Sequence, residues 1–477
     1  MTEELKAKIG ELFYRQFSVF PEELTELAAS GSSRKYFRLR LKGLSAVAAY
    51  NEDRKENEAF VSFTRQFQKA NLPVPQLLQE NLDDNLYLLN DLGDETLFSY
   101  LESHRQDGFS EKQIHLYKNV LSDLISFQIE TRDGFDYSAC YPRGSFDKQS
   151  MMWDLNYFKY YFLKLAGIPF DEQKLEDDFI LFSDYLLQTD CSYFLYRDFQ
   201  SRNIMIHKDK LFYIDYQGGR KGALHYDVAS LLYDAKADIP QKVREELLDH
   251  YIGQLKQKIQ LDEAEFRKYY YGYVLIRIMQ AMGAYGFRGF YENKTHFLKS
   301  IPYAVSNLKW IITNIELPVK IDTLTEVFRK IIASEKLRKF EIESPETLTV
   351  YVNSFSFKKG YPIDSSGNGG GFVFDCRALP NPGRYEDYKT MTGRDVAVIR
   401  YLEQYPEVEA FIENSGNLVC RSVENYLERG FTSLMVSYGC TGGQHRSVYF
   451  AERLAKLLKE KFDIKVVVTH KEQNFNG

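Results

Sequence analysis

Two short segments carry the residue types that phosphoryl chemistry needs. In Tyr196-Arg197-Asp198-Phe199-Gln200-Ser201-Arg202-Asn203 a carboxylate and an amide stand five residues apart, and Asp215 closes the apolar run Lys210-Leu211-Phe212-Tyr213-Ile214. Moving a phosphoryl group from a nucleotide to a hydroxyl requires a carboxylate that orients the hydroxyl and takes its proton, a role that suits Asp198 as catalytic base. It also requires magnesium on the phosphates, and that hard cation takes oxygen ligands such as Asn203 and Asp215. So short a pattern also arises by chance, because Asp and Asn populate turns and caps. Its position between two strand-like runs gives it weight. No GxxxxGK followed by Ser or Thr occurs, which excludes a P-loop mechanism.

A second segment, Tyr438-Gly439-Cys440-Thr441-Gly442-Gly443-Gln444-His445-Arg446-Ser447, follows a strand-like run and opens a helix. Glycines let successive amides turn inward, a helix N-terminus favours an anion, and an arginine can grip two phosphate oxygens. Cys440, Thr441, Gly442, Gly443, His445 and Arg446 are therefore candidates to hold a phosphate. The same letters fit the C-x5-R-S loop of thiol phosphatases, in which a low-pKa thiolate attacks phosphorus. Binding without chemistry is the preferred reading, because only Asp375 and His470 offer themselves as a general acid. A tight strand-to-helix turn with glycines for packing is the alternative.

Elements that would position these residues are legible in the pattern. Tyr36 to Leu41 and Ser45 to Tyr50 read as strands around a turn at Gly43, Asn57 to Ala70 as a helix, and Leu86 to Leu89 as a short strand. From about residue 96 the pattern turns helical, with Ile114, Tyr117, Leu121 and Leu124 on a core-facing stripe that Gln128 leaves. Ser192 to Tyr196 and Lys210 to Ile214 are strand-like runs around a polar loop. A charged helix near Leu324 to Arg338 then precedes a break at Glu341 to Pro345. Beyond it come a strand from Thr347 to Phe357, a Gly-rich stretch, Phe372 to Phe374, and strand, helix, strand to the end. The expected architecture is an α+β two-lobed domain followed by a small α/β domain. Its expected parts are residues 1–95, 96–318, a linker helix over 319–346, and 347–477.

The 477 residues are 44% hydrophobic, 15% aromatic and 27% charged, enough for several cores and against long disorder. A net charge of -6 gives no polyanion-binding signature. Five scattered cysteines without a CxxC pair speak against a disulfide framework or zinc knuckle. With no signal-peptide pattern and no long apolar run, the expectation is a cytoplasmic protein without a membrane partner.

Residues 25–315 resemble the aminoglycoside phosphotransferase/choline kinase superfamily, and within it the AmgK group of cell-wall amino-sugar kinases. Ser30 to Leu39, Asn90-Asp91-Leu92-Gly93-Asp94, the loop 196–203, Ile214 to Gln217 and Tyr226 to Leu232 carry the likeness. The resemblance implies a protein-kinase-like fold with ATP and Mg2+ as cofactors and the nucleotide at a hinge near 89–94. It also implies nucleotide contacts from Ser30, Gly31, Ser32, Ser33, Arg34, Asp91 and Leu92. Tyr196 and Gln200 stand where the family has His, and the strand 45–50 lacks the phosphate-clamping lysine. Arg34 or Lys35 could supply that charge, Glu56 or Glu58 the lobe-bridging glutamate, and Asp227 is expected to brace the catalytic loop. Residues 347–477 resemble the C-terminal domain of RapZ, an RNase adaptor that senses glucosamine-6-phosphate, through Ser354 to Gly360, Phe374 to Pro382, Thr392-Gly393 and the loop 439–448. That likeness implies a phosphosugar effector contacted by Thr441, Gly442, His445 and Arg446. Lys and Arg balance Asp and Glu over 346–477, so RNA is a doubtful partner. Together the likenesses suggest an amino-sugar kinase, acting on N-acetylmuramate or N-acetylglucosamine, fused to a phosphosugar sensor, with an oligomer possible. A choline, homoserine, ethanolamine or aminoglycoside kinase, and a nucleotide- and phosphosugar-binding adaptor without transfer, are the alternatives.

Overall fold

The structure is a computed structural model that describes residues 2–27, 34–104, 109–340, 348–364, 371–428 and 431–473. Two compact units divide the chain: Met1–Glu292 with Phe297–Phe340, and Asn293–His296 with Glu341–Gly477.

The first unit begins with a five-stranded antiparallel sheet in the order β1-β2-β3-β5-β4, from β1 (Glu23–Glu26), β2 (Lys35–Leu41), β3 (Leu44–Tyr50), β4 (Leu77–Asn81) and β5 (Leu86–Asn90). Lys42 and Gly43 both take positive φ (38° and 88°) between β2 and β3, the conformation a two-residue hairpin turn with matching twist demands. Side chains alternate across the sheet with period two. Phe37, Leu39, Ala46, Ala48, Leu86 and Leu88 form one core with Ile9, Leu12 and Phe13 of the helix Glu3–Phe17. The opposite face, with Ala49, Tyr87 and Leu89, joins Phe60, Phe63 and Phe67 of the helix Arg54–Lys69 in the main core.

The remainder of the unit is helical. Glu111–Ile129, Glu172–Leu186, Gln241–Lys258 and Glu263–Tyr285 pack around two small ribbons. One pairs β6 (Tyr193–Leu195) with β9 (Arg220–Gly222), the other β7 (Ile204–His207) with β8 (Lys210–Tyr213). Gln128, expected to leave the core, is buried as well: it donates to Leu224 O (3.2 Å) and accepts from Tyr251 Oη (2.6 Å). A strand-rich lobe thus stands on a helical lobe. The segment 319–346 is corrected in part. Asp322–Ala333 is no free linker but buries Leu324, Val327, Phe328 and Ile331 in the main core, its Leu324 N–H donating to Asp178 (2.8 Å); residues 341–347 lie outside the described set.

The second unit is a parallel four-stranded sheet, β11-β12-β10-β13, from β10 (Thr349–Ser356), β11 (Gly371–Asp375), β12 (Ser433–Cys440) and β13 (Lys465–His470). The helices Pro406–Glu428 and Arg446–Lys461 accompany it, and β12 leads straight into the second. Val350, Val352, Leu434, Val436 and Leu454 form its core. From β10 the chain crosses toward β11, and from β12 it crosses the other way toward β13. The C-terminal ends of these two adjacent central strands therefore frame a topological switch point, where open α/β sheets bind ligands. No helix among the described residues is long and apolar enough to cross a membrane.

Candidate functional site

The loop between β6 and β7 is built around a buried carboxylate. Asp227 accepts the Tyr196 N–H (2.7 Å) and the Arg197 N–H (3.0 Å). Burial, with the charge of Asp198 adding to it, pushes Asp227 up to about 7 against those two hydrogen bonds. Arg197 takes a positive φ of 84°. Its guanidinium holds that turn by donating to both oxygens of Asp154 (2.7 and 2.6 Å) on the helix Lys148–Tyr157 and to Tyr226 Oη (2.9 Å). Asp198, the next residue, remains half-buried at the cleft. Gln200 Nε2 donates to its Oδ1 (3.3 Å), and Arg277 Nη2 lies 3.9 Å from the same oxygen. Tyr196 ties the loop to the residue before Asp215, its hydroxyl donating to Ile214 O (2.6 Å).

Asn203 Nδ2 donates to Asp198 O (2.9 Å) and to Asp215 Oδ2 (3.3 Å), so the three predicted residues come together. Asp215 has a positive φ of 70°, and its Oδ1 accepts from Gln217 Nε2 (2.8 Å). Burial raises the Asp215 carboxyl, as does Asp198; Gln217 and Arg34 oppose this. Asn203 and Asp215 are neighbours, joined here through the Asn203 amide nitrogen, and each carries an oxygen of the kind that fits magnesium. No group of three or more His, Cys, Asp or Glu that could hold a metal occurs among the described residues.

Above Asp215 lies a cavity of about 180 Å³ between the lobes, lined by Leu27, Tyr36, Val47, Leu89, Leu92, Met205 and Ile214. Its apolar walls suit a flat heteroaromatic ring, and no hydrogen bond engages the Leu92 amide among the described residues. Leu92 lies on the wall of this cavity. The Asp91 carboxylate serves the hinge itself instead: it accepts from Arg38 Nη2 (3.0 Å), Ser45 Oγ (2.5 Å) and the Gly93 N–H (2.9 Å), while Arg38 also holds Asp94 (2.8 Å). Arg34 is 2% exposed and donates to Glu56 Oε2 (3.1 Å), which selects Glu56 over Glu58 as its partner. Ser30, Gly31, Ser32 and Ser33 lie outside the described residues.

In the second unit the loop after β12 meets the end of β10. Ser356 Oγ donates to Thr441 O (2.7 Å). Gly443 has φ +68°, and a Cβ there would fall 2.4 Å from Glu472 Cγ and 3.0 Å from Ser356 N, so glycine is required. Thr441 and Gly442 are exposed at the tip. Cys440 is buried, with Sγ 3.2 Å from Ser447 Oγ and accepting the Gly443 N–H (3.2 Å). Burial raises its pKa, but the hydrogen bonds from Ser447, Gly443 and Gly442 outweigh it and lower the thiol. The side chains of His445 and Arg446 are placed differently from expectation. Arg446 is 4% exposed and donates through Nη1 to Arg377 O and Leu379 O (2.8 Å each). His445 Nε2 lies 2.8 Å from Tyr388 O. Both brace the loop from behind; they answer carbonyls that the strand-to-helix turn brings against them.

The model of the phosphotransferase enzyme family matches residues 23–261, half of the chain. The chain belongs to this family. Residues 348–474 match the RapZ C-terminal domain. The fold is therefore a protein-kinase-like α+β pair of lobes followed by a parallel-sheet RapZ C-terminal domain. Similar curated proteins include a nucleotide-binding protein of Staphylococcus haemolyticus, 37% identical over 157 residues (33% of this chain, 50% of that protein). Another, from Staphylococcus aureus strain JH9, is 40% identical over 144 residues (30% and 46%). The chain spans about half the length of the curated relatives it matches. Among solved structures, a choline kinase from Cryptosporidium parvum has TM-score 0.47 at 12% identity, covering 68% of this chain and 99% of that one. An ADP-bound aminoglycoside phosphotransferase has TM-score 0.43 at 13% identity, covering 69% and 99%.

Sequence reasoning missed Asp154 and Arg277. Both lie far along the chain from the loop they support, on helices whose local patterns announce only packing.

Proposed function

We propose that the first unit transfers the γ-phosphate of ATP to a hydroxyl of a small molecule, and that the second unit binds a sugar phosphate. The observation that carries the first half is the joining of Asp198, Asn203 and Asp215 by hydrogen bonds beneath an apolar interlobe slot. In this reading the slot holds the adenine and the hinge at Leu92 reads its edge. Asn203 and Asp215 hold magnesium, which supplies charge neutralisation on the phosphates. Asp198, aimed by Gln200 and by a backbone fixed on Asp227, accepts a hydrogen bond from the acceptor hydroxyl and takes its proton as the oxygen attacks phosphorus. Arg277, near Asp198 from the helix Glu263–Tyr285, steadies that carboxylate.

The acceptor we assign is an N-acetylated amino sugar such as N-acetylmuramate or N-acetylglucosamine, phosphorylated at the anomeric hydroxyl. The AmgK-like sequences at 32–38, 91–94 and 198–203, and a partner domain of the kind that senses a hexosamine phosphate, both support it. For the second unit, the switch point between β10 and β12, the exposed Thr441–Gly442 tip and the helix opening at Arg446 address an anion. ADP release measured with magnesium-ATP across N-acetylmuramate, N-acetylglucosamine, choline, homoserine and an aminoglycoside tests the assignment. Turnover with the amino sugars alone is expected. Turnover only with choline or homoserine overturns the acceptor, and nucleotide binding without turnover on any acceptor replaces the kinase with an adaptor.

A further inference from the structure

The sheet that roofs the slot lacks the group that kinase-type phosphoryl transfer places there. A lysine on the third strand ordinarily pairs with the nucleotide phosphates and with a helix glutamate. Here Val47 lines the slot, and the next β3 residue on that face is Ala49, fully buried. No residue of β3 is basic.

Across the ladder Ala49 pairs with Tyr36, and Tyr36 and Arg38 line the slot with Val47. Period-two alternation puts Arg34, two residues before Tyr36, on the same face. Its guanidinium reaches under the sheet, 5.9 Å from the centre of the Phe60 ring, and donates to Glu56 Oε2 on the helix Arg54–Lys69. Asn51 Nδ2 holds that same oxygen (2.8 Å). A cation thus pairs with a helix glutamate beneath the sheet whose Tyr36, Arg38 and Val47 line the slot. A pair serving stability alone gains little from burying a guanidinium this way, because desolvation offsets the attraction.

We propose that Arg34 has taken over the phosphate clamp that β3 lacks, held by Glu56, which Asn51 steadies, and addressing the nucleotide phosphates with the two-pronged grip of a guanidinium. The proposal rests on the reading of the first unit as an ATP-binding kinase. It places the clamp on the segment leading into β2, so that Ala49 is free to be small.

Calorimetry on the full chain with magnesium-ATP and, separately, adenosine tests it. Arg34→Gln should weaken magnesium-ATP by about ten- to a hundredfold, the scale of lost charge-assisted hydrogen bonds, and leave adenosine unchanged. Arg34→Lys, which keeps the charge but not the two-pronged grip, should recover part of the ATP affinity that Arg34→Gln loses. Fluorescence of Trp153 and Trp310, both in the first unit, verifies that the variants fold. Equal ATP affinity in wild type and Arg34→Gln overturns the proposal. So does an equal loss for ATP and adenosine, which marks a structural role. A wild-type protein that binds neither compound sinks the kinase reading itself, and is told apart because no variant is involved.

Discussion

Replacing Arg446 with alanine separates two accounts of the C-terminal loop. If the guanidinium gripped the ligand, its loss would cost affinity and leave the fold alone. The structure instead makes it a brace, with Nη1 donating to Arg377 O and Leu379 O at 2.8 Å each, in a residue only 4% exposed. A hydrogen bond to a charged group contributes about 1.5–3 kcal/mol, and the two carbonyls lose their partner together. Against this, Arg446 Nε is buried without a partner, and removing it relieves a penalty of about 1–3 kcal/mol. The net destabilisation of the second unit is then about 2–3 kcal/mol, which is about 30- to 150-fold in its opening equilibrium. Neither tryptophan lies in this unit, so intrinsic fluorescence will not report it. Amide hydrogen exchange of β10 and β12 will, through their slowest-exchanging residues. Faster exchange in both strands, by that factor, is expected. Unchanged protection accompanied by lost hexosamine-phosphate binding would refute the bracing role.

Asp198→Asn should lower turnover about 10²- to 10⁴-fold while magnesium-ATP affinity stays near wild type, measured by ADP release and calorimetry; turnover near wild type removes Asp198 as the base. Cys440→Ser should leave hexosamine-phosphate binding nearly intact and release no less phosphate than wild type, since the thiol only closes the loop on Ser447 and Gly443; Cys440-dependent phosphate release would make the loop a thiol phosphatase. Asp227 has a folded pKa of about 7, raised above the value of about 3.9 for a free carboxyl. Stability from its protonation is present below the unfolded value and is lost as pH rises through about 7. The Tm of Asp227→Asn relative to wild type should therefore climb between pH 4 and 7; a difference independent of pH contradicts the shift.

The residues proposed to react were legible because each stands in a local segment whose spacing is set by one turn: Asp198 and Asn203 within a single loop, Asp215 at the end of β8's run. Alternation also revealed the two faces of β2 and β3, and strand–loop–helix order revealed the second sheet. What escaped the sequence depends on tertiary neighbours. Asp154 and Arg277 act through contacts that no spacing encodes, and the helix Glu3–Phe17 matters because Ile9, Leu12 and Phe13 close the outer face of the first sheet. Asp322–Ala333 looked like a linker because its charged face is as evident as its apolar one, and only the docking of Leu324 and Phe328 decides the matter. The Arg446 side chain could be read as a ligand group until the carbonyls of Arg377 and Leu379, distant in sequence, were seen to meet it.

Phosphorus NMR of the protein with magnesium-ATP and N-acetylmuramate or N-acetylglucosamine tests the central claim most directly. The account predicts conversion of ATP to ADP with a new phosphomonoester signal coupled to the anomeric proton, absent with Asp198→Asn. ADP and inorganic phosphate alone, or a phosphoester that forms equally well in Asp198→Asn, would contradict it.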